Sequence, residues 1–425
     1  CKSLTSITIP SNVISIEAHA FSNCKVLEEL IIPEGVKTLG SSMISNTSIE
    51  KIVIPNSVTS AGRLLEGSNL LTEVIFKEGR KSIPEATCYR ATNLEKVTIP
   101  STVTNVGYEA FRECTSLEKI ALPEKLTEIG SGAFRECTSL IDVEIPKTVT
   151  KIGGYSFENC TSLERITIEE NNKKGFETII DQGAFYGCKS LTSITIPSNV
   201  ISIEAYAFSN CNSLVVNVYN NSIGLTYCKD NKIKYRIIGT YDKTNNIQIE
   251  NGTCTNIDES TELKVSQLKE GNDYDEVSKS FENFDLYDIG FYKDNEKVEI
   301  DGTAIVKIPV KEGMDGNKCK VYYNDNGTYT DMNAVYKNGY MEFKTDHFSQ
   351  YVLTDNELPT TSLGDVNGDG EINFLDAIMV LRHDAEIIEL EENQLKAADV
   401  NKDGEVNFLD AIMILRYDAE IIDSF

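Results

Sequence analysis

The sequence predicts a multidomain, mainly β protein, in which a repeat solenoid is followed by a β-sandwich and then by a small all-α module. Three observations support this prediction. A unit of 22 or 23 residues, with one exception of 28 residues, recurs through the first half of the 425-residue chain. Short alternating strands with turn signals follow it, and a nearly duplicated loop and helix end the chain. We therefore place the domains at residues 1–239, 240–358 and 359–425.

The solenoid is predicted from the regularity of its repeats. Residues 1–24 reappear at 188–211 with one change, His19 for Tyr206. The pattern is clearest in residues 94–116, where a strand with buried Leu, Val and Ile is followed by a proline, a second apolar stretch, an Ala-Phe pair and a Cys. One such unit cannot bury its apolar face alone, so the units are expected to stack. The last unit lacks the proline and the Ala-Phe pair and is expected to form a closing cap.

The repeat signature IxIPxxVxxIGxxAFxxC resembles the BspA-like leucine-rich repeat family of bacterial surface proteins. The resemblance covers residues 1 to about 240 and implies a leucine-rich repeat fold in a secreted or cell-surface protein.

Cysteines recur at one position of the repeat. The six that share it are Cys24, Cys114, Cys137, Cys160, Cys188 and Cys211, out of eleven in the chain. We predict a buried ladder of free thiols that pack as small apolar residues. Disulfides between adjacent units are the alternative, and the spacings typical of Cys and His metal sites are absent.

The strand pattern L-x-x-I-x-I predicts which side chains face solvent. Its third and fifth positions point outward, while Leu and both Ile point into the stack. Three neighbouring units carry an apolar residue at the fifth position, namely Ile31, Val53 and Ile75, and the same units lack the Ala-Phe pair. An exposed apolar stripe rimmed by charge is typical of a protein-binding patch, so we predict partner contact there. The alternative is that β-branched residues simply suit exposed strand positions.

The segment 240–358 is predicted to be a β-sandwich because alternating strands are separated by the turn signals NDNG and KNG. Asp346, His347 and Ser349 lie within it, but neighbours on one strand alternate faces and do not form a catalytic triad.

Two stretches, DVNGDGEINFLD from Asp365 and DVNKDGEVNFLD from Asp399, have the spacing of a calcium loop. Oxygen ligands are expected at loop positions 1, 3, 5, 7, 9 and 12, with the backbone carbonyl serving at position 7 and a glycine turning the chain at position 6. These ligands are Asp365, Asn367, Asp369, Glu371, Asn373 and Asp376 in the first loop, and Asp399, Asn401, Asp403, Glu405, Asn407 and Asp410 in the second. We therefore predict two calcium ions.

Both loops depart from the ordinary EF-hand. Position 12 is Asp instead of Glu, and the stretch ELPTTSLG before the first loop predicts no entering helix. Only the exiting helices show apolar residues at helical spacing.

Residues 363–425 resemble a type I dockerin, the calcium-dependent module that binds cohesin domains on scaffoldins in cellulosome-type assemblies for polysaccharide catabolism. The resemblance implies two F-hand-type loop-helix motifs. It also implies that partner choice depends on Phe374, Leu375 and Arg382 in one half and on Phe408, Leu409 and Arg416 in the other. The alternative is that Phe374 and Phe408 pack between the helices. The halves 365–388 and 399–422 differ at four positions, so either face could dock.

The net charge and the absence of known catalytic motifs narrow the classes of function that the sequence supports. A formal net charge of −26 argues against nucleic acid and anionic membranes as partners. No nucleophile elbow, phosphate loop or HExxH motif is present. We predict a non-catalytic, secreted, extracellular or bacterial cell-surface protein whose solenoid binds a protein or surface ligand and whose dockerin attaches it to a scaffoldin.

Two alternatives stay open. The chain begins at Cys1 in the middle of a repeat motif, so we expect further sequence upstream, and a catalytic domain could lie there. The chain could also be a host-directed adhesin displayed through its dockerin.

Overall fold

The structure, a computed structural model, describes residues 1–171, 175–258, 260–281, 283–325, 327–356, 363–368, 371–422 and 424–425. The chain forms two compact units. The first contains Cys1–Val265, Ile289–Lys311 and Ala334–Ser349, and the second contains Ser266–Asp288, Glu312–Asn333 and Gln350–Phe425.

The described residues of the first half form short strands and one helix, connected by turns. They are β1 Ser6–Thr8, β2 Ser15–Ile16, β3 Glu29–Ile31, β4 Thr38–Leu39, β5 Lys51–Ile54, β6 Glu73–Phe76, β7 Ser82–Ile83, β8 Lys96–Thr98, β9 Asn105–Val106, β10 Glu128–Ile129, β11 Asp142–Ile145, β12 Lys151–Ile152, β13 Arg165–Ile168, β14 Thr178–Ile180, β15 Ser193–Thr195, β16 Val200–Ile203, β17 Val215–Asn220 and α1 Ile223–Asp230.

The described residues of the second half form longer strands and four helices. They are β18 Tyr235–Asp242, β19 Ile247–Glu250, β20 Glu262–Leu268, α2 Asn272–Ser280, β21 Phe284–Lys293, β22 Glu296–Val298, β23 Ala304–Pro309, β24 Lys320–Asp325, β25 Thr328–Asp331, β26 Val335–Lys337, β27 Tyr340–Thr345, β28 Gln350–Thr354, α3 Phe374–Asp384, α4 Glu392–Ala398 and α5 Phe408–Asp418.

The repeats stack as parallel strands in two rows, as the period predicts. One row contains the paired sets β1-β3, β5-β6-β8 and β11-β13-β15-β17, and the other contains β2-β4 and β7-β9-β10-β12-β14-β16. Equivalent residues face one another in register, so Ile52 lies opposite Val74, and Val74 lies opposite Val97. Leu27 and Leu30 are buried while Glu29 is exposed, which confirms the predicted orientation of the strand.

A column of phenylalanines fills the core behind the strands. Phe111, Phe134, Phe157, Phe185 and Phe208 stack with ring centroids 5.2–5.5 Å apart. The column is absent from the three units that lack the Ala-Phe pair. Buried Met43 and Ile44, Leu64 and Leu65, and Thr87 and Cys88 occupy the equivalent positions there.

The cysteine ladder is confirmed. All eleven cysteines are free thiols, and the six repeat cysteines are buried. Each thiol from Cys114 onward donates to a carbonyl of the preceding unit, as Cys137 Sγ does to Phe111 O at 3.1 Å and Cys160 Sγ to Phe134 O at 3.1 Å. Burial raises the pKa of the Cys137 thiol to about 12.

Helix α1 closes the end of the repeat core. The Ser222 side chain caps it by accepting from Leu225 N at 3.2 Å. Tyr227 of α1 meets Phe208 edge-on at 6.0 Å and so ends the phenylalanine column. The edge of β17 is not left open, because β18 pairs with it in parallel.

The sheet of the last repeats continues into the segment predicted as a separate sandwich. Its nine strands have the order β11-β13-β15-β17-β18-β19-β23-β27-β26, and the pairs from β18 onward are antiparallel. A second sheet has the order β20-β21-β28-β24-β25. The expected boundary at residue 239 falls inside β18, and the sandwich itself stays a prediction.

The C-terminal module is helical, as predicted. Helices α3 and α5 pack together around a small core that includes Val366, Ala377, Val380, Ala411 and Ile414. Helix α4, which precedes the second loop, was not predicted. The expected lack of a helix before the first loop concerns residues that lie mostly outside the described part of the chain. No helix in that described part is long and apolar enough to span a bilayer.

Candidate calcium loops and docking face

Each loop ends in the capped start of a helix. The Asn373 side chain accepts a hydrogen bond from Leu375 N at 2.8 Å and begins α3, and Asn407 accepts from Leu409 N at 2.8 Å to begin α5. Positions 9 and 12 of each loop are therefore also the N-cap and the N3 position of a capping box. A repeated sequence thus produces two identical junctions between loop and helix.

In the first loop, the position 12 carboxylate is fully buried. Asp376 Oδ1 accepts from Val366 N at 2.7 Å and from Asn367 N at 2.9 Å, and Asp376 Oδ2 accepts from Asn373 N at 2.9 Å. Asp365 at position 1 is buried as well and accepts from Gly368 N at 2.8 Å. The predicted ligand Asp369 and the turn residue Gly370 lie outside the described residues.

The second loop repeats this arrangement with small changes. Asp410 is fully buried and accepts from Asn401 N at 3.2 Å and Asn407 N at 3.0 Å. Asp399 accepts from Asp403 N and Gly404 N, both at 3.1 Å. The chain therefore folds around the carboxylates of positions 1 and 12 in both halves.

The donor set fits a hard cation. Among the described residues, which include Asp399, Asp403 and Asp410 of the second loop, no three His, Cys, Asp or Glu side chains converge as a metal-binding group. Yet Asp376 and Asp410 are fully buried carboxylates that pair with no lysine or arginine in the described chain. A buried carboxylate without a cation is costly, and oxygen-only donors are those that calcium prefers.

The helix surfaces turned away from the module core are apolar. The exposed stripe of α3 consists of Phe374, Leu375, Ile378 and Leu381, and that of α5 consists of Phe408, Leu409, Ile412 and Leu415. Arg382 and Arg416 are exposed at the far end of each stripe. Phe374 is 54 % exposed and Phe408 is 52 % exposed. The alternative in which both rings pack between the helices is therefore wrong.

His383 and Tyr417 hold equivalent positions in the two halves but make different contacts. The His383 ring lies 3.3 Å from both Ile388 O and Leu390 N, in the segment that follows α3. Tyr417 instead stacks on Phe425 at 4.9 Å. The near-identity of the two motifs therefore does not extend to the segments that follow them.

On the solenoid, the predicted stripe is only partly exposed. Ile31 is 52 % exposed, while Val53 and Ile75 are half-buried. Beside them, Glu73 lies 3.0 Å from Lys51 and 3.1 Å from Lys96 in a charged ladder across three strands. The assignment of these three residues to partner binding stays a prediction.

The chain matches two known families of protein domains. Six copies of the BspA type leucine-rich repeat region match residues 1–87, 81–214 and 178–301. A type I dockerin domain matches residues 363–417. Both matches confirm the resemblances drawn from the repeats and the loops. No curated protein matches the chain.

Similar solved structures are bacterial leucine-rich repeat proteins. One from Bacteroides ovatus shares 25 % identity over 51 % of this chain and 69 % of its own, with a TM-score of 0.36. One from Eubacterium ventriosum shares 25 % identity over 51 % and 67 %, with a TM-score of 0.33. One from T. pallidum shares 20 % over 55 % and 85 %, with a TM-score of 0.31.

Proposed function

Because the chain belongs to the BspA type leucine-rich repeat family and carries a type I dockerin domain, we propose that it is a non-catalytic extracellular recognition protein. The dockerin attaches it to a cohesin on a scaffoldin, and the solenoid presents a protein-binding face. The two matched domain types are non-catalytic, and dockerins as a family bind calcium and cohesins.

The observation that supports docking most directly is the duplicated apolar stripe on α3 and α5. Four large apolar side chains on each helix are about half exposed, at matching positions of the two halves. Monomeric proteins rarely expose such patches unless a partner covers them. Because the stripes have the same composition, either one can serve as the docking face.

Calcium gives the loops their charge balance. Asp365, Asn367, Asp369, Asn373 and Asp376 would hold one ion with the Glu371 carbonyl. The second loop would use Asp399, Asn401, Asp403, Asn407 and Asp410 with the Glu405 carbonyl. When bound, the ion offsets the buried carboxylates and ties the loop to the first turn of its helix. Residues 363–425 carry sixteen acidic and four basic side chains, a net of −12, so two divalent cations remove part of this repulsion.

Surface capture of the full chain by immobilised cohesins tests the proposal. We expect capture in calcium and release in a chelator. Leu375→Asp or Leu409→Asp alone should retain capture through the other stripe, while the double variant should lose it by at least about tenfold. Ile387→Asp with Ile421→Asp is the matched control, because these two isoleucines are also exposed but lie beyond the helix ends. Capture that persists in chelator, or in the double stripe variant, would contradict the proposal.

A further inference from the structure

The strand row of the solenoid is interrupted between β3 and β5. Strand β3 pairs with β1, whereas β5 starts a separate set with β6 and β8. Within residues 1–171, all of which are described, no ladder joins β3 to β5. A second interruption lies between β8 and β11, where a single bridge links Lys119 to Asp142.

The first interruption opens into a groove of about 830 Å³. The groove at the second interruption is smaller, at about 340 Å³. The larger groove runs along the strands, from Glu50 and Leu70 at their amino ends to Ile32 and Lys77 at their carboxyl ends. Its direction therefore suits an extended segment of chain lying along β3 and β5.

Apolar side chains lie in the middle and at one end of this groove. Ile31 and Leu70 are each 52 % exposed, and Val53 is half-buried. No aromatic side chain lines the groove. Its apolar part is thus aliphatic, which suits an apolar side chain of a peptide better than the face of a sugar ring.

The charge that is left uncompensated in the groove is negative. Its two lysines are paired, Lys51 with Glu73 at 3.0 Å and Lys77 with Glu34 at 3.2 Å. The exposed residues Glu28, Glu29 and Glu50 have no lysine or arginine partner among the described residues. A ligand with basic side chains beside its apolar anchor would complement this arrangement.

We propose that the groove between β3 and β5 binds an extended peptide of a partner protein, in which an apolar side chain is flanked by lysine or arginine. The proposal rests on the recognition role proposed for the solenoid and specifies its ligand. A second copy of this chain is disfavoured as the occupant, because each copy carries a net charge of −26. The apolar anchor lies over Ile31, Val53 and Leu70, and its basic neighbours face the three glutamates.

Four labelled synthetic peptides of about eight residues test the proposal by fluorescence anisotropy with the full chain. They combine a leucine or serine anchor with lysine or glutamate flanks. Of the four, we expect only the peptide with a leucine anchor and lysine flanks to show saturable binding. Ile31→Ser with Leu70→Ser, and separately Glu28→Lys with Glu50→Lys, should each weaken it at least about tenfold. Glu144→Lys with Glu164→Lys makes the same charge change at exposed sites outside this groove and should leave binding unchanged.

Equal binding of the four peptides, no binding of any, or unchanged binding in both groove variants would overturn the groove assignment. Cohesin capture is measured on the same preparations to separate this outcome from failure of the proposed function. Intact calcium-dependent capture without peptide binding removes only the groove proposal. Loss of capture by the wild-type chain contradicts the attachment role, whatever the peptides do.

Discussion

At the scale of single residues, the buried carboxylates and the buried thiols differ in what they do in the core. Asp376 and Asp410 accept hydrogen bonds from backbone N–H groups, whereas the repeat cysteines behave as apolar side chains with one weak donor. The loop spacing predicts that the carboxylates at positions 1 and 12 are calcium ligands, and this assignment stays a prediction. The spacing could not predict that Asp376 also completes a capping box, because that role depends on the backbone at the helix start.

Thiol chemistry gives the residue-scale prediction. In the native chain Cys1 is exposed and the other ten cysteines are buried. A thiol reagent at pH 8 should therefore modify Cys1 quickly and the other ten thiols only after unfolding in guanidinium. Thiolate is the reactive form, and burial raises the pKa of Cys137 from its usual 9.0 to about 12. Fast labelling of several native thiols would contradict the ladder, as would fewer than eleven reactive thiols after unfolding.

The same shift has a consequence for stability. Because the folded pKa of Cys137 is raised, its contribution to the free energy of unfolding is fully present below pH 9 and is lost as the pH rises toward 12.

At the scale of elements, the phenylalanine column connects one repeat to the next. Phe134 lies between Phe111 at 5.3 Å and Phe157 at 5.2 Å and is fully buried. We expect Phe134→Ala to lower the free energy of unfolding by about 3–5 kcal/mol, through lost burial and a cavity. Guanidinium unfolding followed by circular dichroism measures this loss.

Thr167→Ala is the control for that experiment, because Thr167 is an exposed strand residue of the same solenoid. It should change the free energy by less than about 0.5 kcal/mol. A cost below about 1 kcal/mol for Phe134→Ala would mean that the column contributes little to coupling between repeats.

Short helices and missing ladders were the elements that sequence patterns did not predict. Helix α4 has seven residues, begins with a capping box between Glu391 and Gln394, and carries little periodic signal. The gap between β3 and β5 is also invisible in the pattern, because Ile31 and Val53 suit an exposed strand whether or not a neighbour pairs with it. Both features depend on packing against other parts of the chain.

At the scale of the whole molecule, internal repetition made most of the architecture predictable. Stacked units and twin loops follow from near-identical sequence, such as residues 1–24 and 188–211. The repeats did not predict how far the repeat sheet extends. Strand β18 lacks the repeat signature and yet pairs with β17. Backbone pairing does not require the repeat side chains, so the sheet continues beyond the last recognisable unit.

We propose that the C-terminal dockerin module holds one calcium ion in each of its two loops. A calorimetric calcium titration of the full chain, with and without a cohesin, tests it most directly. We expect two ions per chain, one fewer in Asp376→Asn or in Asp410→Asn, and cohesin binding only when calcium is present. No heat from calcium together with cohesin binding in chelator would contradict the account, and so would an unchanged ion count in both variants.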